Sequence, residues 1–230
     1  MDLCELSNNP NWKAKRHPWE RARIKVVSDL MKRRLAAPGN VRVLDIGSGD
    51  AYLVHQLATR LPALEIHCVD VEYTDEIKTR LKSALGEKRI SLYKSLDEFS
   101  DANPGMPIDV VLLLDVIEHI EDDHAFLRGL RNRPAVNEST EILVTVPAHQ
   151  SLFSAHDVFL KHYRRYSEKL LLETLDRCGY RAGRSGYFFF SLLTARYLQT
   201  KFSAAKDPDR QKGISGYKPV FPVDQAMYGV

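Results

Sequence analysis

Val41-Arg42-Val43-Leu44-Asp45-Ile46-Gly47-Ser48-Gly49-Asp50-Ala51-Tyr52 decides the fold of this chain. Its first half is apolar and β-branched, the composition of a parallel strand buried on both faces. Two glycines one residue apart then break the strand. A helical pattern follows, with Leu53, Val54, Leu57, Ala58 and Leu61 on one face and Pro62 as its stop. Strand, glycine turn and helix form the unit with which α/β proteins hold nucleotide-like ligands. Glycine lets the backbone approach a ligand and adopt positive φ, and the N–H groups opening the helix face whatever is bound there.

The placement of the acid narrows the ligand. A dinucleotide fingerprint reads G-x-G-x-x-G after the strand, but here Tyr52 stands at the third glycine and Asp45 precedes the first by two. A carboxylate in that turn repels pyrophosphate and suits a ligand carrying an ammonium and a sulfonium. The spacing D-x-G-x-G-x-A resembles the first motif of the class I S-adenosylmethionine-dependent methyltransferases, with Ala51 at the family's usual third glycine. The resemblance implies a Rossmann-like, doubly wound, mainly parallel sheet of about seven strands. It also implies S-adenosylmethionine as cofactor, held by Asp45, Gly47, Ser48 and Gly49.

Working outward, Glu65-Ile66-His67-Cys68-Val69-Asp70 reads as a second strand whose terminal acid suits the ribose hydroxyls of a nucleoside. Glu72 is a weaker rival to Asp70, and His67 reads as a packed strand residue. The next helix begins near Thr74 and ends at Gly86. Arg89–Tyr93 forms a third strand. By resemblance, Val71 joins Asp70 in the cofactor set, and Ser95 and Leu96 occupy the place that reads adenine. Ile108–Asp115 is the clearest strand, apolar on both faces and hence central; the resemblance implies that Asp115 and Val116 at its end back the methionine part of the cofactor.

Asp115-x-x-Glu118-His119 supports a sharper idea, because acid, acid and imidazole at this spacing converge on one divalent ion. The pattern is similar to the E-x-x-E-H of small-RNA 2′-O-methyltransferases and some ubiquinone-pathway O-methyltransferases, where a downstream histidine completes the site. His156 is the expected fourth ligand. Metal-free displacement is the favoured reading, with the metal set Asp115, Glu118, His119 and His156 as its alternative.

After Arg131–Thr140, read as irregular, Ile142–Val146 is the fifth strand. The following loop is rich in chemistry: His156-Asp157, then His162-Tyr163-Arg164-Arg165-Tyr166. It resembles a bacterial methyltransferase subgroup carrying H-D and H-Y-R-R-Y segments, whose members accompany sugar, lipid and secondary-metabolite pathways. Methyl transfer from a sulfonium is an in-line displacement driven by positioning, and a hydroxyl acceptor must also lose a proton to a neutral imidazole. His119, His156 and His162 are the candidate bases, in that order. Trp19, His162, Tyr163, Arg165 and Tyr166 are the expected acceptor contacts, with a structural latch as the plainer reading of residues 163–166.

Pro18 opens a helix carrying Ile24, Val27, Leu30 and Met31 and ending at Lys32-Arg33-Arg34. The expected organisation is an arm and lid helix over 1–40, the cofactor domain over 41–190, and a helix with an extended tail over 191–230. Ser167 caps a further helix, residues 180–190 read as a sixth strand, and 191–202 is apolar with basic flanks. Core packing or an oligomer face explains that last stretch, and a peripheral contact with the inner face of the membrane is its functional reading. With 44% hydrophobic content over 230 residues the chain builds a sizeable core. No run is long enough to span a membrane, and Met1–Pro10 does not read as a signal peptide. Three scattered cysteines offer neither a disulfide framework nor a metal knuckle, consistent with the cytoplasm. A net charge of +3 is too small to demand nucleic acid. The sequence therefore points to an enzyme methylating an oxygen of a small-molecule, sugar-linked or lipid-linked acceptor. An RNA 2′-O-methyltransferase and a non-catalytic cofactor-binding protein are the alternatives.

Overall fold

The computed structural model describes residues 18–34, 39–86 and 89–188. In chain order the elements are α1 (Pro18–Arg34), β1 (Val41–Ile46), α2 (Tyr52–Arg60), β2 (Leu64–Val69), α3 (Asp75–Leu85), β3 (Ile90–Tyr93) and α4 (Leu96–Ala102). There follow β4 (Val110–Leu114), α5 (Asp123–Arg131), β5 (Glu141–Thr145), α6 (Ala155–Phe159) and α7 (Glu168–Arg177), with single 3-10 turns at Ile117–His119 and Gln150–Leu152. The chain divides into two compact units, Met1–Val116 with Leu130–Thr145, and Ile117–Gly129 with Val146–Val230.

The first unit holds the sheet. Its strands are all parallel and run β3-β2-β1-β4-β5. This is a doubly wound order, with its reversal between β1 and β4. Asp45 in β1 lies in register between Cys68 of β2 and Leu112 of β4. One face of the sheet packs Val43, Ile66, Cys68, Leu92, Val110 and Leu112 into a core that also takes Val27 and Met31 of α1, Val54 and Leu57 of α2, and Leu81 of α3. The apolar run of β4 is buried at every position, as its composition requires. His67 is buried, its Nδ1 3.2 Å from the Tyr93 hydroxyl and its ring edge-on to Phe99. It is a packed strand residue.

Local signals fix the helices. Thr74 accepts from Ile77 N at 3.2 Å to cap α3, and Ser167 accepts from Leu170 N at 3.1 Å to cap α7. Ser95 does the same for α4, accepting from Glu98 N at 3.0 Å. That helix follows the S-x-x-E signature of a capping box. Residues 131–140, expected to be irregular, are tied by Arg131–Glu138 at 2.9 Å and by the Thr140 hydroxyl donating to Ile108 O at 2.8 Å. Leu30, expected on the inner stripe of α1, is 37% exposed; Arg23 and Ser28 are buried there instead.

Among the described residues the sheet has five strands, fewer than the seven the resemblance implies. Residues 181–188 carry no strand. Phe189, Phe190, the apolar stretch 191–202 and the tail to Val230 lie outside the described residues. No helix among the described residues is long and apolar enough to cross a membrane.

Candidate functional site

In the first unit the glycine turn is held open by backbone geometry. Gly47 and Gly49 have φ of 74° and 52°, and a Cβ on Gly47 would fall 2.8 Å from Val116 Cγ2. Gly47 N donates to Val69 O at 2.8 Å, which anchors the turn to the end of β2. The Asp70 carboxylate then accepts from Gly49 N at 2.8 Å through one oxygen and from Glu72 N at 3.0 Å through the other. Ala51, where the family carries its third glycine, keeps a left-handed φ of 56°. A residue with a Cβ pays roughly 1–2 kcal/mol for that conformation, so the surrounding turn dictates the shape.

The turn opens onto a cleft lined by Glu20, Arg23, Asp45, Ser48, Asp50 and Tyr52, among others. Helix α1 forms one wall, in keeping with a helix lying over the glycine turn. Asp45 is 4% exposed, and burial pushes its carboxyl up to about 7 against the opposing pulls of Ser48 first and then of the Arg23 guanidinium. At the end of β4, Asp115 has a left-handed φ of 58°. Arg23 Nη1 lies 2.9 Å from its Oδ2, Thr145 Oγ1 donates to its Oδ1 at 2.9 Å, and Arg23 Nη2 donates to Thr145 Oγ1 at 3.4 Å. Sequence reasoning missed Arg23 and Thr145. The signal for Arg23 was a charged residue on the buried stripe of α1, one position before Ile24. Of the other expected cofactor contacts, Val71 is 79% exposed just past β2, and the Ser95 hydroxyl is committed to capping α4. Trp19 lies in the first turn of α1, and its side chain is outside the described residues.

The second unit holds the other constellation. Asp157 is fully buried, and its carboxylate takes Arg165 Nε at 2.8 Å, Arg165 Nη2 at 3.0 Å, Ser154 N at 2.8 Å, Ser154 Oγ at 3.0 Å and His162 Nδ1 at 3.1 Å. Burial alone would raise this carboxyl, but Arg165 and Ser154 hold it down at about 2. Tyr166 is also buried and donates to Asp123 Oδ2 at 2.6 Å, while Arg164 lies 2.8 Å from the same carboxylate. Arg165 and Tyr166 are thus turned inward, and the expectation that they grip an acceptor is corrected: a buried guanidinium facing a buried carboxylate is a latch. Tyr163 is 52% exposed.

That latch brings His162 beside the 3-10 turn. Tyr163 N donates to Glu118 O at 2.8 Å, and the His162 ring stands edge-on to His119 with centroids 4.5 Å apart. Glu118, His119 and His162 each offer a ligand atom, all within 4.8 Å of one another. The histidine that joins Glu118 and His119 is His162, in place of the expected His156. His156 stacks on Phe159, and Asp115 is engaged by Arg23 and Thr145. Burial lowers the His162 imidazole below its usual range, against the opposing pull of Asp157, which favours a neutral ring with its proton on Nδ1. Basic residues that an RNA groove would need are internally paired: Arg133 with Asp97 at 2.8 Å and Arg164 with Asp123.

Comparison with known proteins bears on the fold and on part of the chain. Residues 44–135 match the family model described as a methyltransferase domain. No curated protein matches the sequence. An O-methyltransferase family protein from Burkholderia thailandensis superposes with a TM-score of 0.57 at 17% identity, over 73% of this chain and 53% of that one. The methyltransferase domain of bacterial CtHen1-C gives 0.51 at 22% identity, over 69% and 84%. The chain thus spans about half the length of the Burkholderia protein, and at these identities the likeness is one of fold. The fold is the Rossmann-like fold of class I methyltransferases. Residues 44–135 are thus similar to a methyltransferase domain, a kind of domain that uses S-adenosylmethionine as methyl donor.

Proposed function

We propose that the protein transfers the methyl group of S-adenosylmethionine to an oxygen of a small-molecule, sugar-linked or lipid-linked acceptor. The observation that carries this reading is the ring of acids around the glycine turn. Asp70, Asp45 and Asp115 stand at the carboxyl ends of the adjacent strands β2, β1 and β4, where the strand order reverses. Asp70 has both oxygens side by side against backbone donors, and their remaining lone pairs suit a vicinal diol. Asp45 and Asp115 supply negative charge for an ammonium and a sulfonium. Backbone at Gly47, Ser48 and Gly49 and the Val116 side chain shape the floor, and α1 acts as the lid.

The acceptor reading draws on the second unit. His162, neutral and oriented by Asp157, and the neighbouring His119 are the imidazoles that take the hydroxyl proton, while exposed Tyr163 offers an acceptor contact. Fully buried Glu118 beside the two histidines favours a second reading, in which the three hold a divalent ion that polarises the acceptor oxygen.

Calorimetry with S-adenosylmethionine, S-adenosylhomocysteine and a nicotinamide dinucleotide tests the cofactor. The two sulfur nucleosides are expected to bind and the dinucleotide not; the reverse ranking refutes the proposal. Gly47→Ala, whose Cβ meets Val116 at a left-handed φ, is expected to weaken binding at least tenfold, or about 1.4 kcal/mol. Radiolabelled cofactor offered to fractionated metabolites, lipids and RNA identifies the acceptor. Loss of that transfer on exhaustive chelation, with recovery on adding manganese or zinc, selects the metal reading.

A further inference from the structure

Exposed apolar side chains gather in the second unit. Of the large hydrophobic side chains exposed among the described residues, only Leu30 and Val71 belong to the first unit. Val158, Phe159, Tyr163, Leu170, Tyr187 and Phe188 belong to the second, and its two most exposed, Phe159 at 72% and Val158 at 63%, are neighbours on α6. Local chemistry turns them outward. Ser154 and Asp157 form the capping box that opens α6, and Arg165 anchors Asp157 in the interior. At about 100° of helix per residue, the two positions after Asp157 swing away from that anchor. Lys161 closes the turn with a φ of 59°, its N–H donating to Val158 O at 2.9 Å, and Tyr163 N fixes the far end on Glu118 O at 2.8 Å. The run Val158-Phe159-Leu160-Lys161-His162-Tyr163 contains no acid. Lys161 is exposed and has no ion-pair partner among the described residues, and the unit's exposed acids, Glu121, Asp122, Glu173 and Asp176, lie outside this run.

A soluble protein partner needs about 800 Å² from such a face for a stable interface, more than a valine, a phenylalanine and a tyrosine supply. A bilayer takes apolar side chains singly, seats tyrosine rings at headgroup level and attracts a neighbouring lysine to anionic lipid. We infer that the α6 tip, Val158 and Phe159 with Lys161, docks on an anionic bilayer surface, and that the acceptor is accordingly lipid-linked. The choice of acceptor rests on the proposed methyl transfer. His162, the imidazole proposed to take the hydroxyl proton, directly follows Lys161, so the tip that meets the bilayer brings headgroup hydroxyls toward that ring.

The test is co-sedimentation of the full chain with vesicles of phosphatidylcholine alone and of phosphatidylcholine with phosphatidylglycerol in equal parts. Wild type is expected to bind the mixed vesicles about fivefold more tightly, the effect of one lysine, and to lose that preference as salt rises. Lys161→Asn, which suits the left-handed backbone, is expected to abolish the preference. Val158→Ser with Phe159→Ser is expected to weaken vesicle binding at least tenfold, with thermal stability and S-adenosylmethionine affinity unchanged because both side chains are exposed. In a lysate supplied with radiolabelled cofactor, the label is expected in the solvent-extracted lipid. No sedimentation with vesicles, equal binding to both compositions, or undiminished binding by the double serine variant overturns the inference. So does a dimer, dissolved by the serine variant, in place of vesicle binding, and so does label confined to water-soluble acceptors. Each of these leaves the methyl-transfer reading standing. Vesicle binding by a protein that binds no S-adenosylmethionine refutes that reading and the acceptor assignment with it, while the docking surface stands.

Discussion

Two buried aspartates, one in each unit, have opposite electrostatic fates. Asp45 has its carboxyl pushed up to about 7 by burial, whereas Asp157, buried equally well, is held down at about 2. The difference lies in what surrounds each. Asp157 receives a bidentate guanidinium, a backbone N–H, a hydroxyl and an imidazole, so its charge is neutralised within the protein. Asp45 sits at a cleft, where Ser48 and Arg23 only partly offset its desolvation. A saturated acid is architecture. An acid left short of positive charge at the mouth of a parallel sheet is, on the proposed function, the receptor for a cation brought by the ligand.

The comparison breaks most visibly at Arg165. Arg165→Met strands the Asp157 charge in the interior and is expected to cost about 3–5 kcal/mol in chemical denaturation. Restoring most of that loss with the double replacement Arg165→Met, Asp157→Leu would show that the cost comes from the stranded charge. A loss below about 1 kcal/mol for the single variant would mean the latch is no more than a surface pair.

Acid titration should show the same contrast at smaller scale. The Asp157 carboxyl is lowered from 3.8 to about 2 on folding, so its stabilisation is complete above pH 4 and is lost as pH falls through 2. The loss is about 2 kcal/mol, and it should be absent from Asp157→Asn.

The smallest effect sharpens the comparison from the other side. Because the Asp45 carboxyl is raised to about 7, it is protonated below that pH in the free protein. Its favourable contribution to folding is lost as pH rises through 7. A bound cation reverses the preference, so S-adenosylmethionine binding should release a proton near pH 7 and tighten about tenfold between pH 6 and 8. Calorimetry in buffers of different ionisation enthalpy measures the release, which Asp45→Asn should abolish. Were the proton uptake opposite in sign, Asp45 would not be facing the ligand's cation.

Much of the fold was legible because its signals are local. The apolar runs at 41–46, 64–69 and 110–114, the Thr74 and Ser167 caps and the glycine turn each depend on a few consecutive residues. The acids at the strand ends were legible for a related reason, since a strand ending in an acid needs only its own segment and the parallel order to place it. The latch was harder. Arg165 and Asp157 are eight positions apart in a loop with no period to read, so a guanidinium offered to solvent and one turned inward look alike in sequence.

The sequence by itself determined the parallel doubly wound sheet and the glycine turn, because backbone periodicity and glycine's freedom act over short spans. Only the tertiary structure decided that His162, and not His156, joins Glu118 and His119, and that Arg23 reaches Asp115 across 92 positions of chain. Those choices depend on which side chains become buried together. Desolvation and charge pairing act through space and leave no mark on the spacing of residues along the chain.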